Sequence, residues 1–342
     1  MSSSTSWQVA AGIAAVGAAA ALWHRRSVAG AAAGRQAPAA AQAGAAGASH
    51  KVFTNSEFPT DEEGRPHHLQ VPPGGLAPRV LTVGDHGRGS RLAAMLHDVT
   101  HYTSSRGMST WTGIFEGVRV SIMAIGMGVP MADFAIREGR AIVDGPMAWL
   151  RLGTCGGLSD APPGTIVVPS QGSVLVLRDP DGCRSGRPAE AYRVSNPVLP
   201  DPELSALFIQ MLEQELDGKV PVDPAVKYGV QAGMDATADS FYSSQGRASP
   251  GDPFKDLNKG LLDRLLARYP KLCSMQMETF HLIDLAERTQ AGPVSQRVRA
   301  SGGAIVLTNR FIQNVAGAED VRALESMGGR AALKALARCP LE

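Results

Sequence analysis

Trp149-Leu-Arg-Leu-Gly-Thr-Cys-Gly-Gly-Leu158 is the stretch on which the fold depends. Apolar residues run into it, a glycine-rich tail follows, and one arginine, Arg151, stands inside the apolar run. In an open α/β sheet, ligands bind just beyond the carboxyl ends of the strands. An arginine buried at such a place is costly unless it meets an anion or a carboxylate. The stretch therefore predicts a strand whose end serves either a ligand or a structural ion pair.

Upstream, Arg79-Val-Leu-Thr-Val83 is a short apolar run ending in Gly84-Asp85-His86-Gly87-Arg88-Gly89, and Ser90 to Leu96 then has helical spacing. Strand, glycine turn and helix form the geometry in which free backbone N–H groups meet an anion. Trp111 to Phe115 and Val118 to Ile125 read as two strands joined at Glu116-Gly117. Gly126-Met-Gly-Val-Pro130 opens a helix over about Met131 to Val143, where proline near the start is tolerated. The order up to Leu158 is β-α-β-β-α-β, which suits a mixed sheet with helices on both faces.

Downstream, Gly164 to Pro169 and Ser173 to Leu177 read as strands, and Arg178 to Pro202 reads as a surface insertion rich in Pro, Asp, Gly and Arg. Glu203 to Leu216 is an amphipathic helix, and Tyr228 to Gly233 is a strand leading into Asp239-Ser-Phe-Tyr-Ser-Ser-Gln-Gly-Arg247. Leu257 to Tyr269 is helical, and Ser274-Met-Gln-Met-Glu278 leads into a helix over Thr279 to Thr289. Ala304 to Arg310 is the last strand and Asp320 to Arg338 the closing helix.

The chain of 342 residues is 44% hydrophobic and 19% charged, so it can bury a sizeable core. A net charge of +1 gives no field of the kind that attracts nucleic acid. Cys155, Cys183, Cys273 and Cys339 are scattered without a CxxC pair, which reads as free thiols and not as a disulfide frame or zinc site. Residues 1–50 stand apart: they are rich in alanine and glycine, and the first acidic residue is Glu57. The Ser-rich start and sparse arginines fit an organellar transit peptide. A membrane anchor fits less well, because the apolar run from Val9 to Trp23 is short. A secretory signal would need a basic start that is missing. The segment is set aside as a targeting extension, leaving organellar and cytoplasmic placements open.

Six motifs in order, Gly84-Asp85-x-x-Arg88, Arg106 before Thr110-Trp111, Gly126-Met-Gly-x-Pro130, Arg151-Leu-Gly-Thr-Cys-Gly-Gly157, Asp239-Ser-Phe-Tyr-x-x-Gln245-x-Arg247 and Met277-Glu278, resemble the nucleoside phosphorylase-I family. Within it the uridine phosphorylases are the nearest pattern. The resemblance implies an α/β fold of one domain over residues 67–342, with a central mixed β-sheet or distorted barrel flanked by helices, preceded by an extension and arm over 1–66. The implied reaction is reversible phosphorolysis: phosphate attacks the anomeric carbon of a nucleoside through an oxocarbenium-like state while the base departs, with no organic cofactor.

By this resemblance Gly84 offers a backbone N–H to phosphate, Arg88, Arg106 and Arg151 offer guanidinium groups, and Thr154 offers a hydroxyl close to the ribose. Three such arginines would repel one another in an empty site, favouring an anion. Glu278 would accept from sugar hydroxyls, Met277 would pack on the sugar, and His68, beside His67, would reach the 5′-hydroxyl. Arg106 and His68 would come from a neighbouring subunit, which implies a homo-oligomer with shared sites. For the base, Phe241 offers a stacking face, Gln245 the amide edge and Arg247 a positive charge, with Arg310 supporting that edge.

The pattern also departs from the family. His86 and Gly87 replace the usual residues of the phosphate turn, and Gln276 takes the place of a second glutamate before Met277-Glu278. Gly107 stands where bacterial members carry a glutamate that helps hold a monovalent cation, so no metal site is expected. Purine-specific members place an aspartate on the last strand, whereas the matching stretch here is Leu307-Thr308-Asn309-Arg310. That argues against a purine nucleoside, and Glu278 argues for the ribose of uridine over the deoxyribose of thymidine or deoxyuridine. A non-catalytic nucleoside-binding protein on the same fold is the rival of another class.

Overall fold

The computed structural model describes residues 55–341 apart from Ser159 and Gln313, so the targeting extension expected over residues 1–50 lies outside the described residues. Among the described residues, twelve strands form one mixed sheet. In chain order the strands are β1 (Arg79–Val83), β2 (His97–Thr103), β3 (Ser109–Phe115), β4 (Val118–Ala124), β5 (Met147–Gly157) and β6 (Thr165–Val168). They continue with β7 (Ser173–Arg178), β8 (Tyr192–Val194), β9 (Gly229–Ala232), β10 (Met234–Ala238), β11 (Leu272–Gln276) and β12 (Val298–Asn309). The helices are α1 (His86–Ala93), α2 (Val129–Ala141), α3 (Pro180–Arg184), α4 (Pro202–Leu216), α5 (Leu261–Arg268), α6 (Thr279–Thr289) and α7 (Ala318–Arg338). Among the described residues no helix is long and apolar enough to cross a membrane.

The hinge of the sheet is β5, the stretch around Arg151. One edge of it pairs in parallel with β1 along Ala148–Leu152 and, further on, antiparallel with β11 at Gly156 and Gly157. The other edge pairs in parallel with β12 from Met147 to Gly157. The sheet thus runs β2-β3-β4-β1-β5-β11-β10-β7-β8, with β12, β6 and β9 branching from β5.

Both faces are covered, as a largely parallel sheet requires. Side chains alternate along a strand, so Ala148, Leu150 and Leu152 join one core with Leu92 of α1, Phe208 of α4 and Leu333 of α7. Met147 and Trp149 point the other way, into a core with Ile136 of α2, Leu282 and Leu285 of α6, and Leu69 and Leu76 from the segment before β1. Arg151 follows Trp149 by two residues and therefore faces the α2–α6 side, where the apolar layer ends.

Local rules account for most element boundaries. The β3–β4 turn has φ of 46° at Glu116 and 79° at Gly117, the left-handed pair that suits a two-residue hairpin. Asp85 caps α1, accepting from Arg88 N at 2.8 Å, and Asp201 caps α4, accepting from Leu204 N at 2.8 Å ahead of Pro202.

Several elements differ from the sequence reading. The glycine turn after β1 is mostly the first turn of α1, which begins at His86 because Asp85 supplies the cap. β2 was not expected; its burial pattern is almost wholly exposed, as befits a polar strand at the end of the sheet. β10 lies between the strand expected to end at Gly233 and the Asp239 motif, β11 overlaps the stretch expected only to lead into α6, and α5 starts at Leu261, not Leu257. The Arg178–Pro202 stretch is more than an insertion: its β8 pairs with β7, and Tyr192 is buried.

Candidate active site

A cavity of about 390 Å³ opens beyond the carboxyl ends of β1, β4, β5, β10, β11 and β12. Of the twelve residues singled out from sequence, nine line it: Gly84, Arg88, Arg151, Thr154, Phe241, Gln245, Arg247, Met277 and Glu278. The parallel pairing explains their convergence. β1 and β4 run in register to Val83 and Ala124, so Gly84 and Asp85 emerge beside Gly126 and Met127. β12 follows β5 to its end, which brings Leu307 and Thr308 beside Thr154, Cys155 and Gly156.

Arg151 is only 4% exposed. One arm of its guanidinium, Nη2, pairs with Oε2 of the equally buried Glu278. The other Glu278 oxygen accepts from Gly128 N at 2.6 Å. Gly128 holds φ at 99°, a conformation that suits glycine, and this turns its N–H toward the carboxylate. Arg151 Nε and Nη1 are buried and have no hydrogen-bond partner. Leaving such donors unmet costs about 1–3 kcal/mol each. Of the alternatives raised by the sequence, the ion pair is present: one arm is satisfied by a carboxylate, and two donors are left without an acceptor.

Arg88 is held in a similar way. Its Nε and Nη2 lie 2.9 and 2.8 Å from Glu325 Oε1, and its Nη1 donates to the Leu152 carbonyl at 3.2 Å. The second Glu325 oxygen accepts from Arg91. The mutual repulsion expected of bare arginines is thus corrected within this chain: Arg88 and Arg151 each arrive with a buried carboxylate, because an uncompensated buried cation is too costly. Sequence reasoning missed Glu325. The available signal was an acid beside Leu324 on the α7 face that also buries Gly328 and Ala331.

The glycines of β5 make space for arginines. A Cβ on Gly153 would lie 2.9 Å from Arg151 Nη2, and one on Gly156 would lie 3.3 Å from Arg310 Cδ and 3.6 Å from Arg247 Nη2. The Arg247 guanidinium sits 4.1 Å from the centroid of the Phe241 ring, a cation–π distance. Its Nε and Nη2 donate to Gln245 Oε1 at 3.3 Å each. Arg310 does not line the cavity; it grips the loop from behind, donating to the carbonyls of Gln245 at 2.9 Å and Gly246 at 3.3 Å. Burial lowers the pKa of both arginines, and for Arg310 the neighbouring Arg247 charge adds to the effect. Two adjacent guanidinium groups favour negative charge on whatever occupies this end.

The loop that carries these groups is itself braced. Asp239 accepts from Arg178 N at 3.0 Å and from Ser244 Oγ. Asn258 Nδ2 donates to the carbonyls of Ser243 at 3.1 Å and Arg247 at 2.9 Å. Tyr192 OH lies 2.8 Å from Ser243 Oγ and donates to the Asp256 carbonyl at 2.7 Å. The Arg178–Pro202 stretch thereby supports the cavity wall through Tyr192.

Two residues singled out from sequence, Arg106 and His68, are not in the cavity lining. They stand together elsewhere. His68 Nδ1 is 2.6 Å from Glu138 Oε1, and Leu69 N donates to Glu138 Oε2 at 2.6 Å. Ser104 Oγ donates to the His68 carbonyl and accepts from Arg106 N at 3.0 Å, while Arg106 Nη2 lies 3.0 Å from His67 Nε2.

Comparison with known proteins bears on the family and the fold. The sequence is 28% identical over 234 residues to a uridine phosphorylase of Thermococcus kodakarensis, covering 68% of this chain and 76% of that enzyme. It is 37% identical over 96 residues to a DeoD-type purine nucleoside phosphorylase of Clostridium beijerinckii, covering 27% of this chain and 39% of that enzyme. Its structure matches one from work on two uridine phosphorylases of the oomycete Phytophthora capsici, with a TM-score of 0.79, 38% identity, and coverage of 84% of this chain and 100% of the other. A Trypanosoma brucei nucleoside phosphorylase with uridine phosphorylase activity shares the fold at a TM-score of 0.67 and 19% identity, over 82% of this chain and 100% of its own. Residues 78–299 match the family model of the phosphorylase superfamily, and the chain belongs to that family.

Proposed function

We propose that this nucleoside phosphorylase acts on uridine, converting uridine and phosphate to uracil and ribose 1-phosphate without an organic cofactor. The observation that carries the reading is the content of one cavity: buried Arg88 and Arg151, Met277 with Glu278, and the assembled Phe241–Gln245–Arg247 group all line it. The two unpartnered donors of Arg151 suit a phosphate oxygen, which needs directional donors. Gly84, at the end of β1, and the Thr154 hydroxyl complete that side.

In this reading Glu278 accepts hydrogen bonds from ribose hydroxyls, with Met277 packed on the sugar. A phosphate oxygen forms its bond to C1′ as the C1′–N1 bond breaks, and the bonding pair leaves with uracil. Negative charge then spreads over the uracil carbonyls and meets Arg247. Gln245 matches the donor–acceptor edge of uracil, and Phe241 with Arg247 provides a flat platform. Fixed charges placed before the reaction stabilise such a state without rearranging. Thr308 and Asn309 stand where purine-directed members carry an acid, which favours a pyrimidine.

His68 and Arg106 serve the cavity of a second copy, so the working protein is a homo-oligomer with shared sites. Their joint placement away from their own cavity supports this. The deciding experiment measures uracil release from uridine with and without phosphate, beside thymidine, deoxyuridine and inosine. Phosphate-dependent turnover with uridine as the preferred substrate is expected. Preference for inosine, or nucleoside binding without turnover at any phosphate level, would overturn the reading.

A further inference from the structure

Asp235, the second residue of β10, is 2% exposed and plays no part in the chemistry described above. It does not line the cavity. Four side-chain donors surround its carboxylate. Ser274 Oγ donates to Oδ1 at 3.0 Å; Ser173 Oγ at 3.0 Å, Gln276 Nε2 at 2.7 Å and Thr237 Oγ1 at 3.4 Å donate to Oδ2. This is an acceptor's environment, built from β7, β10 and β11 together.

The network continues toward the cavity. With its Nε2 committed to Asp235 and, at 2.6 Å, to Thr237 Oγ1, Gln276 must turn Oε1 the other way. That oxygen accepts from Glu278 N at 2.6 Å and Thr279 N at 3.1 Å. Thr237 Oγ1 accepts from Phe280 N at 2.8 Å. Three successive N–H groups at the start of α6 are therefore held by Gln276 and Thr237, whose orientation depends on Asp235. Such groups have no partner within their own helix. Glu278 has no side-chain cap to make with α6, and its carboxylate is free to serve Gly128 and Arg151.

We propose that Asp235 is a positioning residue for Glu278, acting through Gln276 and Thr237 to fix the first turn of α6 and so present the Glu278 carboxylate to the sugar of the nucleoside. The proposal rests on the reading of Glu278 as the ribose-binding group. The ionised carboxylate is the working form, because a charge-assisted hydrogen bond holds the Gln276 amide about twice as strongly as a neutral one. A proton on Asp235 would be donated to a rotated serine hydroxyl, leaving Gln276 an uncharged acceptor.

The groups that face Asp235 set when this happens. Burial opposes the ionised form, while the hydrogen bonds from Gln276, Ser274 and Ser173 and the positive charge of Arg151 on β5 favour it; the balance places the group at about 6. The thiols of Cys155 on β5 and Cys273 on β11 are themselves raised by burial, Cys273 to about 12, so both are neutral in this range. Ser173 of β7 and Ser274 of β11 do not titrate here. Nucleoside binding should therefore weaken as pH falls through about 6.

The test compares wild type with Asp235→Asn, a near-isosteric mimic of the protonated acid. Steady-state kinetics are measured from pH 5 to 8 at saturating phosphate. Titration of the phosphate dianion is common to both proteins and cancels in the comparison. The variant should raise the nucleoside KM about three- to tenfold at neutral pH, leave the phosphate KM unchanged, and lose the acid limb that wild type shows near pH 6. Gln276→Met, which cuts the link while keeping Asp235, should raise the same KM and serves as the second variant if the first does not fold. Equal profiles for wild type and the folded variants would overturn the proposal while wild type remained active. If wild type turns over no nucleoside, the substrate reading fails instead. The proposal is then decided by the crystal structure of Gln276→Met: a Glu278 carboxylate displaced from Gly128 N supports it, and an unmoved one overturns it.

Discussion

Gly153 carries no side chain because the guanidinium of Arg151 lies where its Cβ would go, 2.9 Å from Nη2 and 3.2 Å from Cζ. Residues i and i+2 of a strand share a face, so a side chain at 153 competes with Arg151 for one place. Gly153→Ala should push the guanidinium off its ion pair with Glu278, costing about 1–3 kcal/mol of stability as overpacking does. The phosphate KM should rise about tenfold, since the two unpartnered donors lose their aim. Steady-state kinetics and a thermal melt check both, and an unchanged phosphate KM would detach Gly153 from the site. At this scale the sequence was informative wherever a residue type was chemically unusual for its place: an arginine in an apolar run, a Gly–Asp turn, a Met–Glu pair before a helix. It was silent on why the glycines stand where they do. Their reason is a side chain two residues away or on another strand, as with Arg310 over Gly156.

The closing helix shows what an element adds beyond its own periodicity. Most of α7 covers the sheet, with Leu324, Ala331 and Leu336 in the core, and the sequence gives that much through its apolar spacing. The helix also carries Glu325 to Arg88 across the whole length of the chain, and nothing local at either residue announces the pairing. Glu325→Gln removes the charge from a pair whose side chains are each 8% exposed. Breaking a buried ion pair costs about 3 kcal/mol or more; here Asp85, 3.4 Å from Arg88 Nη2, limits the loss. Stability should therefore fall by about 3 kcal/mol at most, and the phosphate KM should rise while the uridine KM holds. A change in both KM values alike would mean that α7 supports the whole cavity and not Arg88 in particular. The same contrast runs through the other elements. α6 was legible to the residue, Thr279 to Thr289, because its apolar face repeats cleanly. β2 escaped notice because a polar edge strand has no buried face to pattern. β10 escaped because it follows β9 with only Gly233 between, and a glycine there reads as the end of the strand.

The whole molecule brings its chemistry to one place by topology: six strands end at the cavity, and the order that achieves this was visible only as a succession of motifs. His68 and Arg106 fall outside that convergence, and the role proposed for them would be a property of an assembly. If His68 and Arg106 serve a second copy, Arg106→Ala and Arg151→Ala should each be nearly inactive alone, yet regain part of their activity when co-assembled, since some mixed sites then hold both arginines. No recovery in mixed oligomers would return Arg106 to its own chain. A second property belongs to the folded molecule as a whole, its stability against pH. Burial raises the pKa of Asp235 from 3.8 to about 6, while hydrogen bonds from Gln276, Ser274 and Ser173 and the charge of Arg151 hold it from going higher. The folded form therefore binds the proton more tightly than the unfolded form, and stability falls as pH rises between those two values. A shift of about two units corresponds to about 3 kcal/mol: no cost below about pH 4, the full cost above about pH 6. Urea melts of wild type and Asp235→Asn from pH 4 to 7.5 measure it as a difference, which should decline to about pH 6.5 and then stay level. A flat difference throughout would mean that the carboxylate titrates normally and that its burial is inexpensive. The expected decline has a functional reading: ionised Asp235 is costly to the fold at the same pH at which it holds Gln276 most firmly. A hydrophobic pair at 235 and 276 would remove that cost, and would also remove the acceptor that fixes the start of α6. Local rules are broken where a site requires it, and here the requirement is a carboxylate at 278 that stays in place when the cavity is empty.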